Sequence, residues 1–186
     1  MVGEAHTPAA VAAPTHPATA RHPLRSEQQL LLGPAAALLE GKQALHLAPG
    51  GGLTTDRAAA YVAIGEAFLA QHHYEQALTH FKQGLRVYQQ LNDQVGRARV
   101  LRQVGRARYA QGDTGQAHDT YQQALRLAGQ LRNPAEMAQN YGCLGELYGS
   151  QQLWARALAS HERAYTEWQR AGNPAGQAAA LNDIGL

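Results

Sequence analysis

Five arginines, Arg97, Arg99, Arg102, Arg106 and Arg108, fall between Gln94 and Gly112 with no acidic residue among them. Arg99, Arg102 and Arg106 are spaced i, i+3 and i+7, which lines them along one side of a helix. A guanidinium is planar and offers paired donors that match a carboxylate. Such a face suits an acidic peptide or a free C-terminal carboxylate. Glu66 and Glu146, each 40 residues from Arg106, motivate a competing reading. A Glu–Arg–Glu row on neighbouring elements neutralises itself as ordinary surface pairing.

The other reactive residue types give less. His72-His73 could catch a metal, but no i,i+4 histidine and no carboxylate accompanies them, so they read as surface histidines and no metal site is expected. Cys143 has no His-Asp partner in view and reads as a packed small apolar residue. Glu66 and Glu146 are too far apart in the repeat pattern to face each other across a cleft as paired catalytic acids. Trp154 and Trp168 share a helix face and read as core or inter-repeat contacts. Gly41-Lys42 is followed by Gln43 without an upstream glycine, so there is no phosphate loop. Nothing here makes an active site, and neither enzyme activity nor a cofactor is expected.

The elements that carry these residues come from 186 residues, enough for one domain with a core. A single cysteine excludes a disulfide framework. No apolar run approaches the roughly 18–20 residues of a membrane span, and the net charge of +2 is too small to argue for nucleic acid. Residues 1–25 hold Pro8, Pro14, Pro17 and Pro23 with few large apolar residues, the composition of a disordered tail. That segment lacks the apolar core of a secretory signal, and a cytoplasmic location is the expectation. From Ser26 two short helices, or one kinked at Gly33-Pro34, are expected, and Gly50-Gly51-Gly52 forms a flexible link.

The rest of the chain has a period of 40. Residues 64–85, 104–125 and 144–165 superpose without a gap, and Leu181 to Gly185 begin a fourth copy. Units are expected at 55–92, 93–132 and 133–172 with a partial one at 173–186, and a degenerate leading unit within 26–54. Each unit holds two helices, A and B. Asp93, Asn133 and Asn173 recur as N-caps, with Pro134 and Pro174 at the first helical position. Turns are expected at 71–73, 111–113 and 150–152, and B helices end near Leu91, Leu131 and Ala171. Gly65, Gly105 and Gly145 sit mid-helix, where glycine costs about 0.5–1 kcal/mol relative to alanine, which marks a place where no side chain fits. Ala77, Ala117 and Ala157 lie twelve residues later. The expectation is that glycine and alanine let A and B approach, with Phe81 and Tyr121 filling the next layer.

These residues resemble the tetratricopeptide repeat family, whose pattern is W-x2-L-G-x2-Y followed by A-x3-F. The matches are Tyr61-x2-Ile64-Gly65-x2-Phe68 with Ala77-x3-Phe81, Leu101-x2-Val104-Gly105 with Ala117-x3-Tyr121, and Tyr141-x2-Leu144-Gly145-x2-Tyr148 with Ala157. No Trp opens a unit, Arg108 replaces one aromatic and His161 another. The period of 40 resembles the long-helix subclass found in bacterial regulator arms and in eukaryotic adaptors. The resemblance implies an all-α fold, a right-handed superhelical array of antiparallel helix pairs, with helix A lining the concave face. It also implies a non-enzymatic scaffold for a peptide or protein domain, with Arg99, Arg102, Arg106, Glu66, Glu146, Gln139 and Asn182 as candidate contacts. The alternative is the sensor or assembly arm of a larger transcriptional regulator, NTPase or protease. Leu186 arrives in mid-helix without a C-cap or a partner helix, which motivates that alternative and an expectation of self-association through the C-terminal helix. Direct nucleic-acid binding through the arginine helix ranks below both.

Overall fold

The computed structural model describes residues 24–47 and 54–185. The Gly50–Gly52 link and nearly all of the N-terminal tail therefore lie outside the described residues. These hold eight helices and no strand: α1 (Leu24–Leu47), α2 (Thr55–Ala70), α3 (Tyr74–Gln90), α4 (Gln94–Gln111), α5 (Thr114–Gln130), α6 (Pro134–Ser150), α7 (Trp154–Arg170) and α8 (Pro174–Ile184). No helix among them is long and apolar enough to cross a membrane. α1 starts at Leu24, two residues inside the stretch read as tail, where the proline spacing opens up. It kinks at Gly33, whose φ of 70° and ψ of 164° are not helical, just before Pro34, which lacks the N–H an unbroken helix needs there.

Local chemistry starts each A helix. Thr54, Asp93, Asn133 and Asn173 accept from the backbone N–H three residues on, at Arg57, Gly96, Glu136 and Gly176. Every link between α2 and α8 turns on one left-handed residue: His72, Gly112 and Gln152 after the A helices, Asn92, Arg132 and Gly172 after the B helices. Glycine occupies two of these six sites without strain, and asparagine tolerates a third. The closing bonds recur too, from His73, Asp113 and Leu153 N–H to the carbonyls of Phe68, Arg108 and Tyr148, each 2.9 Å. The period of 40 is thus present in the backbone itself.

The helix pairs pack around two apolar clusters. One joins Ala58, Val62, Ala77, Phe81, Tyr88 and Val100; the other joins Ala117, Tyr121, Leu144 and Leu147. A Cβ on Gly65 would lie 2.5 Å from the Phe81 ring, on Gly105 2.5 Å from Tyr121, and on Gly145 2.4 Å from His161. The aromatic is therefore seated directly on the glycine, not in a following layer as expected. Ala77, Ala117 and Ala157 are buried, as small residues between packed helices must be. His161 fills the aromatic position because a flat ring of any chemistry fits against a bare backbone. Arg108, in register with Phe68, reaches helix B differently. Phe68 stacks on His80, with ring centroids 5.4 Å apart, whereas Arg108 Nη1 donates to Thr120 Oγ1 at 2.8 Å.

Contacts between units follow a volume rule. Tyr88 and Trp168 meet Gly96 and Gly176 of the next unit, where a Cβ would lie 2.4 Å from either ring. In the middle unit the sizes reverse. Ala128 stands where those aromatics stand, Glu136 stands where the glycines stand, and both are buried.

Two expectations about the C-terminal end change. α8 does not run on in mid-helix; Gly185, left-handed at φ 85°, closes it onto the Leu181 and Asn182 carbonyls. Trp168 is an inter-repeat contact, but Trp154 is 68% exposed and is neither core nor inter-repeat. The stretch of α7 holding Trp154 and Leu158 corresponds to the part of α5 that the end of α6 covers, where Tyr148 Oη and His118 Nε2 are 3.0 Å apart. α8 stops at Ile184, short of that position.

Candidate functional site

Helices α2, α4 and α6 touch one another directly, α2 to α4 and α4 to α6, while no comparable contact joins α3 to α5 or α5 to α7. The A helices therefore form the inner, concave layer. Across that layer runs an open groove of about 640 Å³, lined by Glu66 and Leu69 of α2, Arg106 and Tyr109 of α4, Tyr121 of α5 and Glu146 of α6, with His72 and Tyr74 at its edge. The Glu66–Arg106–Glu146 row lies in this one groove, and all three side chains are exposed.

The arginine face divides in two. Arg99 and Arg102 each direct Nε to the carboxylate of Glu136 on α6, at 3.4 and 3.5 Å. Arg102 is 13% exposed and Glu136 7%, so this is a partly buried, two-armed clamp between units. Arg106 stays in the groove, where its Nη1 donates to Gln103 Oε1 at 3.1 Å. The other end of that amide, Gln103 Nε2, donates to Glu66 Oε1. Neither Glu136 nor Gln103 was singled out from the sequence. Gln103 does carry a sequence signal, a polar side chain in register with Ala63 and Cys143, and the structure buries it.

Glu66 is reached by water yet has concave protein mass around it. Burial pushes its carboxyl above the usual range, while Arg102, Arg106, the Gln103 hydrogen bond and Arg99 act in the opposite direction. Glu146 has no hydrogen-bond or ion-pair partner among the described residues. Gln139 is half-buried on α6, its Oε1 without a hydrogen-bond partner among the described residues, and Asn182 is exposed on α8 outside the groove lining.

The nucleophile and metal candidates are placed apart. Cys143 is half-buried against Tyr121, and burial raises its thiol pKa, with Glu146 adding to the rise. A thiol held protonated in this way is a poor nucleophile. His72 Nδ1 lies 3.1 Å from the Tyr74 hydroxyl, and both His72 and His73 are exposed. No three His, Cys, Asp or Glu side chains gather among the described residues. Chemically, the groove offers separated charges over an aromatic and aliphatic floor.

Residues 56–130 match the model of the tetratricopeptide repeat family. Over residues 56–130 the chain carries tetratricopeptide repeats. No curated protein matches it by sequence. Among solved structures it resembles aspartyl phosphate phosphatase F from Bacillus subtilis, with 14% identity and a TM-score of 0.74, over 85% of this chain and 42% of that one. It resembles the tetratricopeptide repeat domain of Arabidopsis FLU with 19% identity and a TM-score of 0.55, over 61% and 95%. A Rap protein complexed with competence and sporulation factor gives 18% identity and a TM-score of 0.60, over 80% and 45%. At these identities the likeness is one of fold, the tetratricopeptide solenoid. The chain spans less than half of the phosphatase and of the Rap protein.

Proposed function

We propose that the chain is a non-catalytic scaffold that binds a peptide or a protein surface along its inner, helix-A face. The observation that carries this reading is the open groove crossing α2, α4 and α6, whose charged residues face one another without closing ion pairs. The burial of Cys143, which raises its thiol pKa, supports the non-catalytic part. The likeness to a Rap protein solved with a bound factor is a supporting parallel.

The test is selection of binders from a displayed random peptide library against the full chain, followed by two tryptophan substitutions at exposed alanine and glutamine positions. Ala110→Trp fills the groove, and Gln123→Trp alters the exposed surface of α5. Selected peptides are expected to lose affinity with Ala110→Trp and to keep it with Gln123→Trp; equal effects of the two would reject the reading. A second role, as the sensor or assembly arm of a larger regulator, is favoured by the match to only 42% and 45% of two longer chains. A nucleotide- or DNA-binding pattern encoded directly downstream of Leu186 would support it, and a stop codon there would oppose it.

A further inference from the structure

We propose that the groove selects an extended peptide with a basic, an acidic and a basic side chain at every third position, seated on Glu66, Arg106 and Glu146 respectively. This rests on the scaffold reading above and names the chemistry of its ligand.

Three observations lead there. First, the trio occupies one register on three adjacent inner helices and alternates in sign along a single groove. Second, no direct ion pair joins its charges: among the described residues none links Glu66 to Arg106 or Arg106 to Glu146, although the field of Arg106 is felt at Glu66. Arg106 bonds Gln103 of its own helix, Glu66 accepts from Gln103 through Oε1 alone, and Glu146 has no such partner. Arg99 and Arg102, by contrast, are held by Glu136 and are not available in the same way. Third, the separation general to packed helices suits one chain conformation. Helices in direct contact lie about 8–10 Å apart. A polyproline II segment rises about 3.1 Å per residue with three residues per turn, so residues i, i+3 and i+6 share a face about 9 Å apart.

The pattern also says what the groove rejects. An all-acidic peptide, or a lone terminal carboxylate, meets two carboxylates for each guanidinium. On this proposal a ligand of alternating charge is preferred to the acidic one expected from the arginine run alone. Between the charged contacts, Leu69 and Tyr109 offer apolar surface to the intervening side chains.

The test uses the full chain and three fluorescein-labelled synthetic heptapeptides, followed by anisotropy at low salt. They are Lys-Pro-Leu-Asp-Pro-Leu-Lys, its charge-inverted form Asp-Pro-Leu-Lys-Pro-Leu-Asp, and the acidic Asp-Pro-Leu-Asp-Pro-Leu-Asp. The first is expected to bind about tenfold more tightly than the other two, the combined effect of three exposed ion pairs. The triple variant Glu66→Lys, Arg106→Glu, Glu146→Lys alters only exposed side chains and should reverse the preference in favour of the inverted peptide. A melting curve confirms that the variant is folded. Equal binding of the three peptides, or no reversal in a folded variant, overturns the proposal. If none of them binds while library peptides are selected that Ala110→Trp abolishes, the charge pattern is wrong and the scaffold reading stands. If no binder sensitive to Ala110→Trp exists, both fall.

Discussion

A methyl group added at Gly105 and one added at Gly142 should move stability in opposite directions, although both sites are interior to A helices. At Gly105 a Cβ would sit 2.5 Å from Tyr121 Cε1 and 2.6 Å from Cδ1, against ordinary contacts of 3.4 Å or more. The ring has to retreat by about 1 Å, yet it is 1% exposed and packed on Leu144 and Leu147. Overpacking of this kind costs about 1–3 kcal/mol, while replacing a helical glycine returns about 0.5–1 kcal/mol. Gly105→Ala should therefore lose about 0.5–2 kcal/mol, a fall of about 2–6 °C in Tm for a chain this size. Gly142 on α6 has no heavy atom within 4 Å of the added methyl. Gly142→Ala should gain about 0.5–1 kcal/mol, with a small rise in Tm. Thermal and urea unfolding followed by circular dichroism measure both. Gly105→Leu, whose branched side chain cannot be accommodated at all, should leave the array unfolded. Pairing Gly105→Ala with Tyr121→Leu should recover part of the loss, a coupling of about 1 kcal/mol in a double-mutant cycle. A Gly105→Ala protein melting at or above wild type, or zero coupling with Tyr121→Leu, would refute the seating of the ring on the glycine.

Three further predictions concern charge and the exposed end. Glu136→Ala removes the shared acceptor of Arg99 and Arg102 and leaves a largely buried guanidinium unpaired, so a loss of about 1–3 kcal/mol is expected; a denaturant midpoint unchanged from wild type would count against the clamp. Because the Glu66 carboxyl is raised in the folded state, that state binds its proton more tightly than the unfolded chain does. Its stabilising contribution is complete below the ordinary glutamate range and is lost as pH rises through the raised value. Glu66→Gln should therefore melt above wild type at neutral pH and converge with it in acid; a pH-independent difference would contradict the sign. Leu153, Trp154 and Leu158 form an exposed apolar stretch at the start of α7. Concentration-dependent association is expected by light scattering and should weaken with Trp154→Ser; a monomer at every concentration would exclude it.

The sequence made the repeat legible because local chemistry recurs in it. Asp93, Asn133 and Asn173 cap helices by side-chain contacts three residues long, and the mid-helix glycines mark their own vacancies. The Glu–Arg–Glu row could be aligned by eye, and it falls in one groove. The arginine clamp could not be seen in this way. Glu136 lies 37 and 34 residues from Arg99 and Arg102, off the repeat register, and occupies a site that is glycine in the units before and after it. Trp154 shows a different limit. Helical spacing tells which side of α7 it shares with Trp168, but whether anything covers that side depends on how far α8 extends.

The alternation of bulky and small residues between neighbouring units also bears on how such a gene can change. Tandem coding repeats are prone to unequal crossing-over, which removes or duplicates a whole unit while keeping the reading frame. Loss of residues 93–132 would join α3 to α6 through an equivalent turn, from Asn92 to Asn133, yet it would bring Glu136 to the site that Gly96 occupies against Tyr88. The same deletion would take away both arginines that hold the carboxylate. Side-chain volume thus disfavours loss of this particular unit, even though the junction would preserve the period.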